Sequence, residues 1–326
     1  MNLTYTMRLL CLCCASFFMI HLGLTMATRL GAGAAVRMAG HMKPSSAARF
    51  LFGLRMAPLG LTLFAVLAFC VPSYLWLEPQ ATGEKVGFVC FLTALLGAAI
   101  WALAVVRVVG ALRGTARYLH RCEQHGRKIT VPGEASPALL LADKAPVLAV
   151  AGVLHPQLVI SRRVMHGLSA EQREVALRHE RAHCTSGDNF KRLLILLAPD
   201  GLPFVTAFGS LERGWARFTE WAADDQATAG DARRGVSLAD ALVRVARMGA
   251  KPELTYLSSS LLDEDQELAQ RVDRLLRPQP MPQKPVKVFI PLLTGAGALI
   301  LTLAVAVSLR PGSLAVVHRA LEQLVH

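Results

Sequence analysis

Apolar residues along this chain follow two rhythms. Four unbroken runs, 9–26, 57–77, 86–106 and 288–309, contain no Asp, Glu, Lys or Arg. Each is near the ~20 residues that carry a helix across a hydrocarbon core. The pattern therefore predicts a mainly α membrane protein with four transmembrane helices. Pro58, Pro72 and Pro291 lie inside the runs; a bundle tolerates them because neighbouring helices re-satisfy the freed backbone groups. Between the third and fourth runs the rhythm changes. Short apolar stretches at 127–131, 139–141, 147–153 and 157–161, parted by Gly and Pro, predict a small sheet. From Ser169 onward the period is helical, with turns expected at Gly187, Gly201 and Gly230. The apolar run 193–209 is broken by Pro199, Asp200 and Pro203. It reads as a broken hairpin against the domain or the membrane surface, not as a fifth span.

These boundaries give three membrane helices with a basic loop at 28–55 (residues 1–112), an α+β domain (113–276), a Pro-rich linker (277–287), a fourth helix (288–309) and a short tail (310–326). Composition agrees: 53% of residues are hydrophobic and only 18% charged, which excludes a disordered or collagen-like chain. The net charge of +12 raises nucleic acid as a partner, but the distribution argues against it. Residues 28–55 carry Arg29, Arg37, Lys43, Arg49 and Arg55 without an acid, and Arg107, Arg113, Arg117 and Arg121 follow the third run. The short stretch 78–85 holds Glu78 and Glu84 against Lys85. The charge bias of membrane loops then predicts an external N-terminus, a cytoplasmic α+β domain and an external tail. A cleaved signal peptide over 1–26 would leave the acid-free basic loop outside, against that bias. The expected partners are the lipid bilayer and a protein or peptide substrate, with no nucleic acid. Five of the seven cysteines, Cys11, Cys13, Cys14, Cys70 and Cys90, fall in apolar runs and read as small packing residues, not a disulfide framework.

The chemistry concentrates in 169–188, SAEQREVALRHERAHCTSGD. Ser169 with Gln172 three positions on has the form of a capping box. Inside the helix it opens, His179 and His183 are four apart with Glu180 between them. At that spacing both imidazoles leave one face. Two neutral imidazoles so placed can hold one Zn²⁺, and Glu180 is placed to act on water, not on the metal. A bland reading, two surface histidines on a charged helix, competes with this one.

A third ligand is expected. EWAADD at 220–225 supplies it: Glu220 and Asp224 are again four apart, and Ala222 and Ala223 are small enough for close helix approach. Glu220 would ligate, and Asp224 would accept a hydrogen bond from a ligand histidine's remote N–H. Asp188 is either a similar support or the cap of the next helix. Cys184 points about 100° away from His183 and reads as a packing residue. His21, inside the first run, reads as a neutral histidine facing another helix.

His179-Glu180-x-x-His183-x-x-x-x-Asp188, Glu220-x-x-Ala223-Asp224, the 152–161 segment with Pro156, and LAQRVDRLL at 268–276 together resemble the integral-membrane zinc metallopeptidases of the BlaR/MecR antibiotic-sensor type. These are related in motif to HtpX-type membrane proteases and, more distantly, to gluzincins. The resemblance implies a zincin-like domain between the third and fourth spans of a bacterial cytoplasmic membrane protein. It implies one Zn²⁺ on His179, His183 and Glu220, with Glu180 as catalytic base. It also nominates 147–161 as the strand edge that holds an extended substrate. Sensor members carry a penicillin-binding domain after the last span, and the 17 residues 310–326 cannot hold one. The expected activity is zinc-dependent cleavage of a protein substrate at the cytoplasmic face in regulatory proteolysis. A quality-control protease of HtpX type, or a non-catalytic scaffold with a structural zinc, are the alternatives.

Overall fold

The fold comes from a computed structural model that describes residues 4–77, 86–131, 137–142, 147–201, 208–249, 257–260 and 265–277, with Val316 and Arg319. Helix α1 covers Tyr5–Ala39. α2 covers Pro44–Ala65 and passes through a π turn, Val66–Cys70, into α3, Val71–Leu77. α4 covers Phe88–His125. The stretches Tyr5–Ala39, Pro44–Leu77 and Phe88–His125 are long and apolar enough to cross a membrane. The predicted fourth span at 288–309, the linker at 278–287 and most of the tail lie outside the described residues.

The basic stretch 28–55 is not a loop. Apart from Gly40–Lys43 it is helix, the end of α1 and the start of α2. Small residues explain this. Ala32, Ala35 and Ala39 of α1 and Ala47, Ala48 and Leu51 of α2 share a buried cluster with Phe208, Leu211, Trp215 and Phe218. Arg29, Arg37, Lys43 and Arg49 stay exposed on the outer faces, so their charge does not interrupt either helix. Pro44 at the first turn of α2 lacks only a donor that would be unpaired there anyway.

α4 runs directly into β1, Gly126–Ile129. Strands β2 (Ala138–Leu141), β3 (Leu148–Ala151), β4 (Gln157–Ser161) and β5 (Ser258–Ser260) complete a sheet ordered β1-β2-β4-β3-β5. β2 and β4 are parallel and the other pairs antiparallel. One face packs on the end of α4, with Leu139, Leu141, Ala149 and Val159 against Tyr118, Leu119 and Cys122. The other buries Val150, Leu158 and Ile160 against Val175, Ala176, Leu238, Leu242 and Val245. The 147–161 segment is therefore interior: β3 lies between β4 and β5, and β4 between β2 and β3. Its backbone groups are already paired, and the free edges among the described strands belong to β1 and β5.

The remaining helices are α5 (Arg162–Gly167), α6 (Ala170–Ser186), α7 (Asp188–Leu197), α8 (Gly209–Thr228), α9 (Ala232–Arg247) and α10 (Asp265–Leu276). Just beyond α7 in the 193–209 run, Ala198–Gly201 inserts between the long helices. Pro199 O lies 3.0 Å from His21 Nε2. Asp200 pairs with Arg55 at 3.0 Å and with Arg107 at 2.9 Å. Buried Arg55 also pairs with Glu212 at 2.8 Å and donates to the carbonyls of Ile195 and Ala198. His21 thus faces this loop and, at the Pro58 carbonyl, helix α2 as well.

Candidate metal centre

α6 starts where its sequence dictates. Ser169 Oγ accepts from the Gln172 N–H while Gln172 Oε1 accepts from the Ser169 N–H, so two orphan donors are satisfied reciprocally. Gly187 ends the helix at φ 65°, a left-handed conformation that glycine adopts without a Cβ penalty. That turn brings α7 back beside α6. Asn189 then ties α7 to the sheet, donating to the carbonyls of Val150 at 3.2 Å and Gly152 at 2.9 Å. Val175 and Ala176 hold one side of α6 in the core and leave His179, Glu180 and His183 facing α8.

His179, His183, Glu220, Asp224, Asp188 and Glu180 are all buried. The Nε2 atoms of His179 and His183 are 3.1 Å apart. Glu220 Oε2 lies 3.4 Å from the first, and Oε1 lies 3.5 Å from the second. Four-coordinate zinc with nitrogen and oxygen bonds of about 2.0–2.1 Å separates its ligand atoms by about 3.3 Å, so the three spacings suit one such ion. Among the described residues these three form a group able to hold a metal, their ligand atoms all within 4.8 Å of one another. The far nitrogens are held by carboxylates: His179 Nδ1 lies 3.0 Å from Asp224 Oδ1, and His183 Nδ1 lies 2.8 Å from Asp188 Oδ2. Asp188 does not cap α7 through its side chain; its other oxygen meets Lys191 Nζ at 2.9 Å. Both Glu180 oxygens are buried with no hydrogen-bond partner among the described residues.

The sequence matches the family described as BlaR1 peptidase M56 over residues 85–275, more than half of the chain. This chain belongs to that family. No curated protein matches the sequence. Membership of M56 makes it a member of a metallopeptidase family whose matched region contains all six of these residues, and it is a membrane-bound family in keeping with the three apolar helices.

The M56 site also contains a residue that the sequence offered only as part of the 268–276 stretch, with no role attached. Arg271 of α10 is buried. Its Nε and Nη2 grip both oxygens of Asp224 at 2.9 and 2.7 Å, and Nη1 lies 3.1 Å from Glu220 Oε2. Three residues on, Arg274 meets Asp225 at 2.6 Å, and its guanidinium lies 5.4 Å from the Trp221 ring centre. α10 is thereby clamped to α8 through paired charges. A signal for Arg271 was present. Leu268, Val272 and Leu275 form the apolar stripe of α10 at helical spacing, and Arg271 falls inside that stripe.

Burial and neighbouring charge together set the protonation states. It pushes the Glu180 carboxyl up to about 7, against the opposing pull of both histidines. Burial also works against ionised Asp224, but Arg271 and His179 outweigh it and hold that carboxyl at about 2. Glu220 is likewise held well below the usual range despite its burial, by His183 and Arg271. Burial disfavours a charged His183, yet Glu220 and Asp188 raise it to about 10. A divalent cation on Nε2 would replace that proton. Cys184 is exposed, not buried as a packing residue would be, and is not one of the three grouped ligand residues. His120, His125, His155 and His166 are exposed and lie outside the site.

Proposed function

We propose that this chain is a zinc-dependent endopeptidase that cuts a protein substrate at the cytoplasmic face of a bacterial inner membrane, in regulatory proteolysis. The observation that carries the reading is the convergence of three buried ligand atoms beside a buried carboxylate, Glu180, that no neighbouring group occupies. A scaffold with a purely structural ion has no use for that carboxylate. The cytoplasmic placement rests on the basic residues at one end of the apolar helices.

His179, His183 and Glu220 would hold the ion, which supplies a Lewis acid that eases water deprotonation and polarises a carbonyl. Asp224 and Asp188 fix each ring with Nε2 turned inward, selecting the tautomer that leaves that atom free to ligate. Glu180 takes a proton from the attacking water and delivers it to the departing amide nitrogen. A carboxyl pushed up to about 7 is matched to that double duty near neutral pH. Arg271 offsets Glu220 and Asp224 of α8, so that the ion is not needed to hold Asp224 in place.

The test compares the purified full-length protein with its Glu180→Gln variant, measuring zinc content and cleavage of a broad peptide library. The expected outcome is equal zinc and hydrolysis reduced by about 10²–10⁴-fold. Undiminished hydrolysis in the variant removes Glu180 from this role.

A further inference from the structure

Helix α8 sets how far the metal centre stands from the apolar bundle. Arg55 lies just before the apolar run 57–77 and Arg107 directly after 86–106. Both converge on Asp200, at 3.0 and 2.9 Å. Such charges mark where an apolar run meets polar surroundings. α8 starts at this level, because Glu212 meets Arg55 at 2.8 Å. It then climbs away from the runs beside the ends of α1 and α2: a Cβ at Gly214 would lie 3.2 Å from Leu51 and from Val36. Glu220 follows Glu212 by eight residues, which is about 12 Å at 1.5 Å per residue. The rise between the two cannot exceed that, whatever the tilt of α8. Headgroups fill about 5–8 Å on each side of the hydrocarbon, so Glu220 stands at or just above them.

α7 joins the metal centre to the same level by a second path. Asp188, its first residue, holds His183, and Lys191 and Arg192 follow within about one turn. Leu193, Leu194, Ile195, Leu196 and Leu197 then send apolar side chains from every side of the helix, and Ala198 is buried among bundle residues. All five are half-buried, and Phe190 before them is 49% exposed. α7 lies against α4 and α2, yet among the described residues only Ile195 of the five joins an apolar cluster of the protein. A helix that is apolar all round belongs in a core or in lipid. Cations followed by an apolar stretch are the order of a helix that dips from headgroups into acyl chains.

We propose that the metal centre acts on membrane-anchored polypeptides, cutting them within about eight residues of the hydrocarbon, with α7 as its lipid-facing border. About four extended residues, at roughly 3.3 Å each, cover the height to the ion, and about as many again lie across the site. The tether holds such a segment near the site at a local concentration that a free peptide does not reach. α7 is continuous with the surface that meets lipid, since its far end enters the apolar bundle. Hydrolysis adds one water across one amide: the carbonyl carbon takes the hydroxyl, the nitrogen takes the proton, and the C–N bond breaks. A membrane-held stub and a released fragment result. The substrate class rests on the peptidase reading; the placement of α7 in lipid does not.

The experiment places the full chain in lipid nanodiscs and photolabels it with an iodophenyl trifluoromethyl diazirine, which reacts from within the hydrocarbon. Tryptic peptide 193–213 carries the apolar half of α7, and 86–107 serves as the spanning reference. The expected result is adducts on 193–197 at a density comparable with the reference. Unlabelled 193–197 beside a labelled reference overturns the proposal, whether or not the chain hydrolyses anything. The same nanodiscs, loaded with zinc, then receive a substrate made of one apolar helix followed by tandem copies of a library peptide. Cutting is expected in the copy next to the helix, roughly tenfold faster than in distant copies or in the same extension without its helix. Glu180-dependent cutting that ignores distance overturns the substrate class and leaves the peptidase reading standing. Cutting of neither form, with wild type and Glu180→Gln alike, overturns the peptidase reading and this substrate class with it.

Discussion

Among the described residues, two groups of charges, each centred on a buried arginine, are built on opposite plans. Around Arg55, two cations face two carboxylates: Arg55 and Arg107 against Asp200 and Glu212. Spare donors of Arg55 go to backbone carbonyls, and its guanidinium lies 4.1 Å from the Phe208 ring centre. The group is closed and neutral. Around His179, the carboxylates Glu180, Glu220, Asp224 and Asp188 face Arg271 and Lys191, which leaves two negative charges in excess when both imidazoles are neutral, the form in which they ligate. Three ligand atoms converge with nothing between them, and Glu180 has no partner among the described residues. The first arrangement fastens Ala198–Asp200 to the long helices. The second would be completed by a divalent cation in place of the His183 proton. Buried charge alone therefore does not mark a site; unfinished neutralisation does.

The largest effect that would break this contrast comes from removing the central arginines. Arg271→Met takes the guanidinium from the buried carboxylates of Asp224 and Glu220, whereas Arg55→Met leaves Asp200 paired with Arg107 and Glu212 partly exposed. Arg271→Met should lower unfolding stability by about 3–5 kcal/mol, because a carboxylate left buried without its partner is penalised, and Arg55→Met should lower it by less. Chemical denaturation in detergent measures it; a neutral outcome at Arg55 would show that water already reaches Asp200. Zinc sharpens the comparison next. At a hundredfold excess over its dissociation constant it should add about 2.7 kcal/mol to the wild type. Arg55→Met should keep the whole increment and His179→Ala should lose it, as followed by thermal unfolding with and without metal. Asp188→Asn should come third, weakening zinc binding by about 10–100-fold through looser orientation of His183, measured by competition with a chelator. The shallowest test is a slope. Asp224 is held at about 2, below its ordinary 3.8. A depressed carboxyl contributes stability fully above its unfolded value and loses it as pH falls through its folded one. Metal-free wild type should therefore lose stability between pH 3.8 and about 2 more steeply than Asp224→Asn, in paired acid titrations.

Much of the metal centre was legible in the sequence because its signals are local. A capping box fixes where α6 starts, and a spacing of four puts His179 and His183 on one face. Glu220 and Asp224 repeat that spacing on α8. Asp188 stayed ambiguous since the Gly187 turn decides whether it reaches back to His183 or caps forward. What escaped depended on distant partners. Arg271 interrupts an apolar stripe, but only α8 packed against α10 reveals which carboxylates neutralise it. β5 is three serines, a composition with no strand signal, and it forms through pairing with β3. Its presence turned the expected edge at 147–161 into sheet interior. The basic stretch 28–55 looked like a loop because charge was weighed over its alanine spacing, which is what packs α1 and α2 on α8.

The direct passage of α4 into β1 has a mechanical consequence. α4 is a single helix of 38 residues, which at 1.5 Å per residue makes a rod about 57 Å long. One end abuts the apolar bundle and the other is stitched into the outermost strand, with no intervening joint to absorb motion. A tilt of about 5° at the buried end would sweep the distal end through ~5 Å, longer than the spacing between neighbouring strands. The protein thus carries a lever whose load is the sheet.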